Sequence, residues 1–379
     1  EMMGCGPGSK SVVWVALRIP DDAICAHANQ SRIRTFNQKD KQNVMCSKNV
    51  VKYAREKGWF NGKDADFSFC ETYAKPDFSG RRFCEARVWT FFNMYSDDMA
   101  QYVDYAAGKV ADAKPMPLWI VPKRKLSVHD MEMAMRDHYE GTPFALDSDI
   151  GGGIWEMPYR PTPLQFKVDG KSYFNERPVS TQQSGFVYVS QMRSWLPREV
   201  GGILWFGNDD ANMVAFTPVY CCTSVAPLPY NTPGADNITF SMDNAFWVCN
   251  WVSNMVYPRY AQMFGSLQTV RDSLDNSYFA AQAEVEAKAL ELSKTDRQAA
   301  VDYLSKYTSD KADQMLDTWK NLATYLIVKY NDMVVKEDVN GKFVRDKFGL
   351  GKRPSRPGYP ERYARELIKQ TGPKFEVVK

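Results

Sequence analysis

The hydrophobic period of this chain changes at Pro258, and that change constrains the fold more than any other feature of the sequence. Beyond it, apolar residues recur at Tyr260, Met263, Phe264, Leu267, Val270 and Leu274, and again at Leu316, Trp319, Leu322, Leu326, Tyr330 and Met333. Spacings of three and four put such residues on one stripe of a helix, so this region is read as amphipathic helices. Before Pro258 the apolar residues fall in short runs bounded by turn formers, the pattern of strands. Residues 11–20 (SVVWVALRIP) place Val13, Val15, Leu17 and Ile19 on one face and Val12, Trp14 and Ala16 on the other, which predicts a strand buried on both sides. Pro20-Asp21-Asp22 supplies turn chemistry, and residues 23–29 (AICAHAN) are expected to return as the second strand of a hairpin.

Between the strand blocks two helices have recognisable ends. Ser47 is the expected cap of SKNVVKYAREKGW, where Val50, Val51 and Ala54 share a face before Gly58; Ser127 is the expected cap of SVHDMEMAMRDHYEG, which Gly141 ends. A second β block follows over residues 170–220, with SGFVYVSQMR, GGILWF and NMVAFTPVY set apart by turn residues such as Gly207-Asn208-Asp209-Asp210. The order of strands, helices, strands and helices indicates the α+β class. Three regions are expected: a sheet-and-helix core over 1–258, a helical region over 259–335, and an extended arm over 336–379 rich in Pro, Gly and charge that ends in one short helix.

Lys and Arg number 48 against 45 Asp and Glu, for a formal net charge of +3, and no basic stripe interleaved with aromatics stands out. Nucleic acid is therefore not expected as a partner. Nor is a membrane, because no apolar run approaches the roughly 18 residues of a spanning helix. The opening residues, EMMGCGPGSK, lack the pattern of a signal peptide. Eight scattered cysteines form no C-x-x-C pair, and buried free thiols are the simplest reading.

Several motifs fail on inspection. GCGPGSKS at residues 4–11 approaches a phosphate-binding loop, but Ser9 stands where that motif has glycine, and a strand rather than a helix follows. The three histidines, His27, His129 and His138, lie in no HExxH, and His138 is about half a turn round a helix from His129, so one helix cannot supply a zinc site from them. His138 is expected in a last helical turn, favoured by the helix dipole. DSDIGGG at residues 147–153 lacks the register of a calcium loop, and no metal or other cofactor is expected. Ser184 in QQSGF is not a nucleophile elbow, and Cys5 has no histidine nearby. Asn29 stands at the end of an apolar strand, where a turn residue and a functional carboxamide are both open readings.

Taken as whole phrases, the chain resembles the cysteine dipeptidase family of the N-terminal-nucleophile (Ntn) hydrolases, the family of the dipeptidase A enzymes and, more distantly, the secernins. The phrases are IPDDAICAHANQSRI (19–33), KNVVKYAREKGWFNGKDADFSFCETYA (48–74), RRFCEARVWTFFN (81–93), RDHYEGTPFALDSDIGGG (136–153), RPVSTQQSGFVYVSQMRSWLP (177–197), WFGNDDANMVAFTPVY (205–220) and PGYPERYARELIKQTG (357–372). The resemblance implies a four-layer αββα sandwich, incomplete at its N-terminal side, with C-terminal helices. It implies hydrolysis of dipeptides or short peptides by an N-terminal cysteine whose own α-amino group shuttles the proton, so that no histidine is needed. It makes Asn29 in HANQ the expected oxyanion donor. Thr181 and Ser184 fall in the stretch where related penicillin and bile-salt amidases carry an arginine beside the nucleophile. The matching positions here are polar and uncharged, a departure that argues against amidase substrates, so Thr181 and Ser184 are taken as substrate-binding positions and amidase activity is kept as the alternative.

The resemblance also places the nucleophile in an upstream segment of the same protein, since no cysteine here fits the role. A chain lacking that segment is expected to be inactive alone, and a non-catalytic structural fragment is the third alternative. The strand at 11–20 is then expected to leave an unpaired sheet edge, which would recruit a second copy as a homo-oligomer. Export of the full-length protein is the expected localisation.

Overall fold

Met2–Gly4 (β1) and Val12–Leu17 (β2) form an antiparallel hairpin, with Met3 opposite Val13, around a loop in which Gly6 and Gly8 take positive φ. The computed structural model describes residues 1–181 and 183–378, which divide into two compact units, 1–127 and 128–379. In the first unit the other elements are Ile24–Cys25 (β3), Val44–Cys46 (β4), Val50–Glu56 (α1), Phe69–Tyr73 (α2), a π-helical turn at Gly80–Glu85, Ala86–Asn93 (α3), Val103–Ala107 (α4) and Trp119–Ile120 (β5).

β2 lies between β1 and β4, with Val15 opposite Cys46. The expected unpaired edge is therefore corrected: both sides of β2 carry ladder partners. Burial is one-sided as well. Val13 and Val15 are buried against Val50, Val51, Ala54, Phe67 and Phe69, whereas Val12 is 42 % exposed and Ala16 is exposed, because helix α1 covers one face of this small sheet. The expected hairpin partner is also replaced. The turn at Pro20 forms, with Ala23 N–H donating to Pro20 O at 3.1 Å, but β3 pairs with β5, Ile24 opposite Ile120. The polar run from His27 to Ser31 cannot continue an apolar ladder, and β4 already holds that edge of β2. Helix α1 buries the expected stripe, but Ser47 does not cap it; its Oγ accepts from Trp14 N–H at 3.2 Å and ties helix entry to β2.

In the second unit, Val128–Met135 (α5) is followed by an exposed hairpin of Gln165–Val168 (β6) and Lys171–Phe174 (β7). Next come Phe186–Met192 (β8), Arg198–Gly201 (α6), Gly202–Asn208 (β9) and Thr217–Tyr220 (β10). Strands β8, β9 and β10 make one antiparallel sheet with β9 in the centre. Ala245–Val256 (α7), Tyr260–Ser293 (α8) and Arg297–Tyr330 (α9) pack on it. The expected period after Pro258 thus becomes two 34-residue helices, each about 50 Å long, that fold back on one another. Ile203, Trp205, Phe216, Leu267, Tyr278, Leu304, Trp319 and Leu326 join in one core. Asp338–Val339 (β11), Lys342–Phe343 (β12) and Glu361–Thr371 (α10) complete the chain. The chain is thus a mixture of helices and antiparallel sheets, the α+β class. Helix α5 stops at Met135, short of the expected Gly141. The expected boundary at residue 258 falls at the α7–α8 junction, inside the second unit.

Candidate active site

Asn29 sits in the bend that follows β3, with φ +66°, a left-handed conformation that asparagine tolerates better than most side chains. What holds the bend is a set of charged groups gathered from several stretches of the first unit. Arg87, near the start of α3, donates through Nη2 to Asn29 Oδ1 and to Ala28 O, both at 3.2 Å, and its Nε is anchored on Phe83 O at 2.9 Å. The carboxamide is thus gripped by its oxygen, while Nδ2, the donor end, bonds to no described residue.

Arg32 lies beneath the same bend and is almost fully buried. Its guanidinium donates to Ala26 O (3.1 Å), Leu118 O (3.0 Å), Pro117 O (2.7 Å) and Glu85 Oε1 (2.9 Å), the last from the π-helical turn. Burial pushes the Glu85 carboxyl up, and Arg32 opposes that. On the other flank, Glu1 Oε1 accepts from the amides of Arg32 (2.6 Å) and Ile33 (2.9 Å), its Oε2 accepts from Ser31 Oγ, and His27 Nε2 lies 3.3 Å from Oε1. Burial would raise the Glu1 carboxyl, but these bonds outweigh it and bring it down to about 2. The result is an exposed carboxamide held at its oxygen by Arg87, on a bend that the buried Arg32 ties down, with its donor end open to a group that develops negative charge. The thiols of this neighbourhood are not activated. Burial pushes Cys25 up and raises Cys70 to about 11, so neither is a ready thiolate near neutral pH.

Thr181 and Ser184 belong to the second unit, where Ser184 N–H donates to Thr181 O at 2.9 Å in a turn that enters β8. Thr181 is buried and Ser184 half-buried. Beneath the turn lies a polar chain that spacing did not anticipate. Ser180 donates its hydroxyl to Asp210 Oδ1 and accepts from Asn212 N–H at 3.0 Å. Tyr257 donates to the other Asp210 oxygen, His138 Nε2 lies 3.2 Å from the Tyr257 hydroxyl, and Glu140 Oε1 lies 3.1 Å from His138 Nδ1. This corrects the place expected for His138: it follows the end of α5, is 1 % exposed, and partners Glu140 and Tyr257 rather than a helix terminus. Burial lowers the imidazole pKa, and the Glu140 carboxylate more than reverses that. Asp209, read from sequence as a turn residue, is fully buried at φ +76° and accepts from Asn250 Nδ2 (2.8 Å) and Ser253 Oγ (2.5 Å); burial lifts its pKa to about 7 against those bonds. Among the described residues, no three His, Cys, Asp or Glu side chains cluster as metal ligands would.

The chain is similar to several curated dipeptidases. It is 26 % identical over 213 residues to a probable dipeptidase of Salmonella dublin, covering 55 % of this chain and 42 % of that protein. It is 22 % identical over 255 residues to dipeptidase A of Lactobacillus helveticus, covering 67 % and 47 %. It is 21 % identical over 314 residues to a probable dipeptidase A of Streptococcus pyogenes serotype M3, covering 80 % and 60 %. The matched region is less than half the length of the first two relatives. The pattern of peptidase family C69 matches residues 1–273, a stretch that contains the Asn29 bend, the Thr181–Ser184 turn and the buried polar chain beneath it. With that match covering most of its length, the chain belongs to peptidase family C69.

Proposed function

We propose that the protein is a cysteine-type dipeptidase in which Asn29 donates a hydrogen bond to the oxyanion formed at the scissile carbonyl. The carboxamide geometry carries this reading: Arg87 holds Oδ1 and leaves the Nδ2 hydrogens for a substrate oxygen. A donor fixed before the reaction needs no reorganisation as charge develops, which is why such groups contribute more in the transition state than in the ground state. The nucleophile in this mechanism is an N-terminal cysteine outside these 379 residues. Its thiolate attacks the peptide carbonyl, its α-amino group passes the proton to the leaving amine, and water then releases the acyl group. The raised thiols of Cys25 and Cys70 are consistent with a nucleophile supplied from elsewhere in the protein. Thr181 and Ser184 are proposed substrate contacts.

The fold proposed for the whole protein is a four-layer αββα sandwich. Each longer sheet has helices on one face and apolar side chains left uncovered on the other, including Val12 on the first and Phe186 and Tyr188 on the second, as stacking against another sheet would require. An assay of the full-length protein on dipeptides beside N-acylated amino acids and penicillins tests the function. Release of free amino acids from dipeptides, with a covalent acyl-enzyme on the N-terminal cysteine in intact mass spectra, is expected. Turnover confined to the acylated compounds would replace the dipeptidase by the amidase.

A further inference from the structure

We infer that the turn at residues 345–353 docks the protein on an anionic phospholipid surface, a peripheral contact unlike the spanning helix whose absence is the ground for expecting no membrane partner. The turn lies in the C-terminal arm, beyond the residues matched by the family pattern. It is preformed. Arg345 and Gly351 are bridged, Asp346 N–H donates to Leu350 O at 2.8 Å, Gly349 N–H returns to Asp346 O at 3.0 Å, and Gly349 takes φ +80°. Arg345 Nη1 closes the turn on Gly349 O at 2.7 Å. At its apex stand Phe348, 73 % exposed, and Leu350, 66 % exposed, two large apolar side chains displayed on a hydrogen-bonded turn.

Cations surround them. Over residues 342–356 the sequence has six basic residues, Lys342, Arg345, Lys347, Lys352, Arg353 and Arg356, against one acidic residue, Asp346, and of the six Lys352 is paired with Glu337 from outside that stretch. Asp346 turns Oδ1 inward to the amides of Phe348 (2.9 Å) and Leu350 (3.0 Å). Lys347 lies over the Phe348 ring at 5.0 Å, and Lys347, Arg353 and Arg356 have no acidic partner among the described residues. Large apolar side chains are exposed elsewhere on the surface too, but here two of them share one hydrogen-bonded turn with cations that have no acidic partner among the described residues. A polyanion in solution would use the cations and leave the apolar pair in water. Apolar tips beside Lys347, in a stretch of chain rich in Lys and Arg, match the boundary between acyl chains and anionic headgroups. No helix among the described residues is long and apolar enough to cross a membrane.

Co-sedimentation of the full-length protein with vesicles of mixed phosphatidylglycerol and phosphatidylcholine, beside vesicles of phosphatidylcholine alone, tests this. Binding to the mixed vesicles alone is expected, weakening as salt rises. Lys347→Gln and Arg353→Gln should each weaken it on the order of fivefold. Phe348→Ser should weaken it about tenfold with an unchanged melting temperature, since the side chain supports no core. Equal sedimentation with both vesicle types, or no sedimentation, would overturn the inference. So would a Phe348→Ser protein that binds as the parent does, or binding to heparin in place of vesicles, which would assign the cations to a soluble polyanion.

Discussion

Arg32 is the side chain on which the Asn29 bend most depends. It ties Ala26, Pro117, Leu118 and Glu85 together from one buried guanidinium, and no other residue of the bend reaches so many separate segments. Replacing it by Met leaves Glu85 charged, buried and unpaired. Arg32→Met should therefore cost about 3–5 kcal/mol in urea unfolding, and adding Glu85→Leu should restore a large part of the loss. If the double variant were no more stable than the single one, the packing of the long side chain rather than its charge would be what holds the bend. Asp209 gives a second residue-scale test, in pH. Its folded pKa of about 7 lies above the ordinary aspartate value of 3.8, so the protonated carboxyl is the form that suits the fold. The contribution is fully present below the unfolded pKa and is lost as pH rises through about 7, on the order of 4 kcal/mol over that window. Asp209→Asn should flatten this part of the stability profile, measured by thermal melts across the window. A slope as steep as that of the parent would assign the pH dependence to other groups. Asn29 was open to recognition in the sequence as a carboxamide at the end of an apolar strand, and the family phrase gave it a role. Arg87, which orients it, carried no signal, because the contact joins residues 58 positions apart.

Helices α8 and α9 were readable because each repeats an apolar residue every three or four positions, a period set by the helix itself. Their full lengths were not, since the middle stretches alternate small and charged residues such as Ala289 and Lys288. The connection between them rests on Asp296, whose Oδ1 accepts from the amides of Gln298 (2.9 Å) and Ala299 (3.2 Å) at the start of α9. Asp296→Ala should lower the unfolding free energy by about 1 kcal/mol, the usual cost of a lost N-cap. A change indistinguishable from zero would mean that the contacts of α9 with α8 and β10 fix its first turn without the cap. Strand partners were harder to read than helices. The continuous apolar run of β2 marks a strand, yet nothing in it distinguishes β3 from β1 and β4 as neighbours, and β3 finds its partner in β5, after all the helices of the first unit. The chain from Ser180 through Asp210 and Tyr257 to His138 was illegible for the same reason, because its members come from four separate stretches and each looks ordinary in its own.

At the scale of the whole molecule, two compact units carry the two groups of candidate residues, Asn29 in the first and Thr181 with Ser184 in the second. The family match runs through both units, whereas the curated relatives named above extend well beyond the aligned region. Catalysis is accordingly a property to be measured on the full-length protein, and the role of Asn29 there is the central claim. Steady-state kinetics of Asn29→Ala on a dipeptide substrate test it most directly. A donor that acts on the oxyanion should, when removed, lower kcat on the order of 10²–10³-fold and change KM far less, with the circular dichroism spectrum and melting temperature retained. Wild-type kcat in a folded Asn29→Ala protein would contradict the claim and leave Asn29 as a turn residue closing the strand that precedes it.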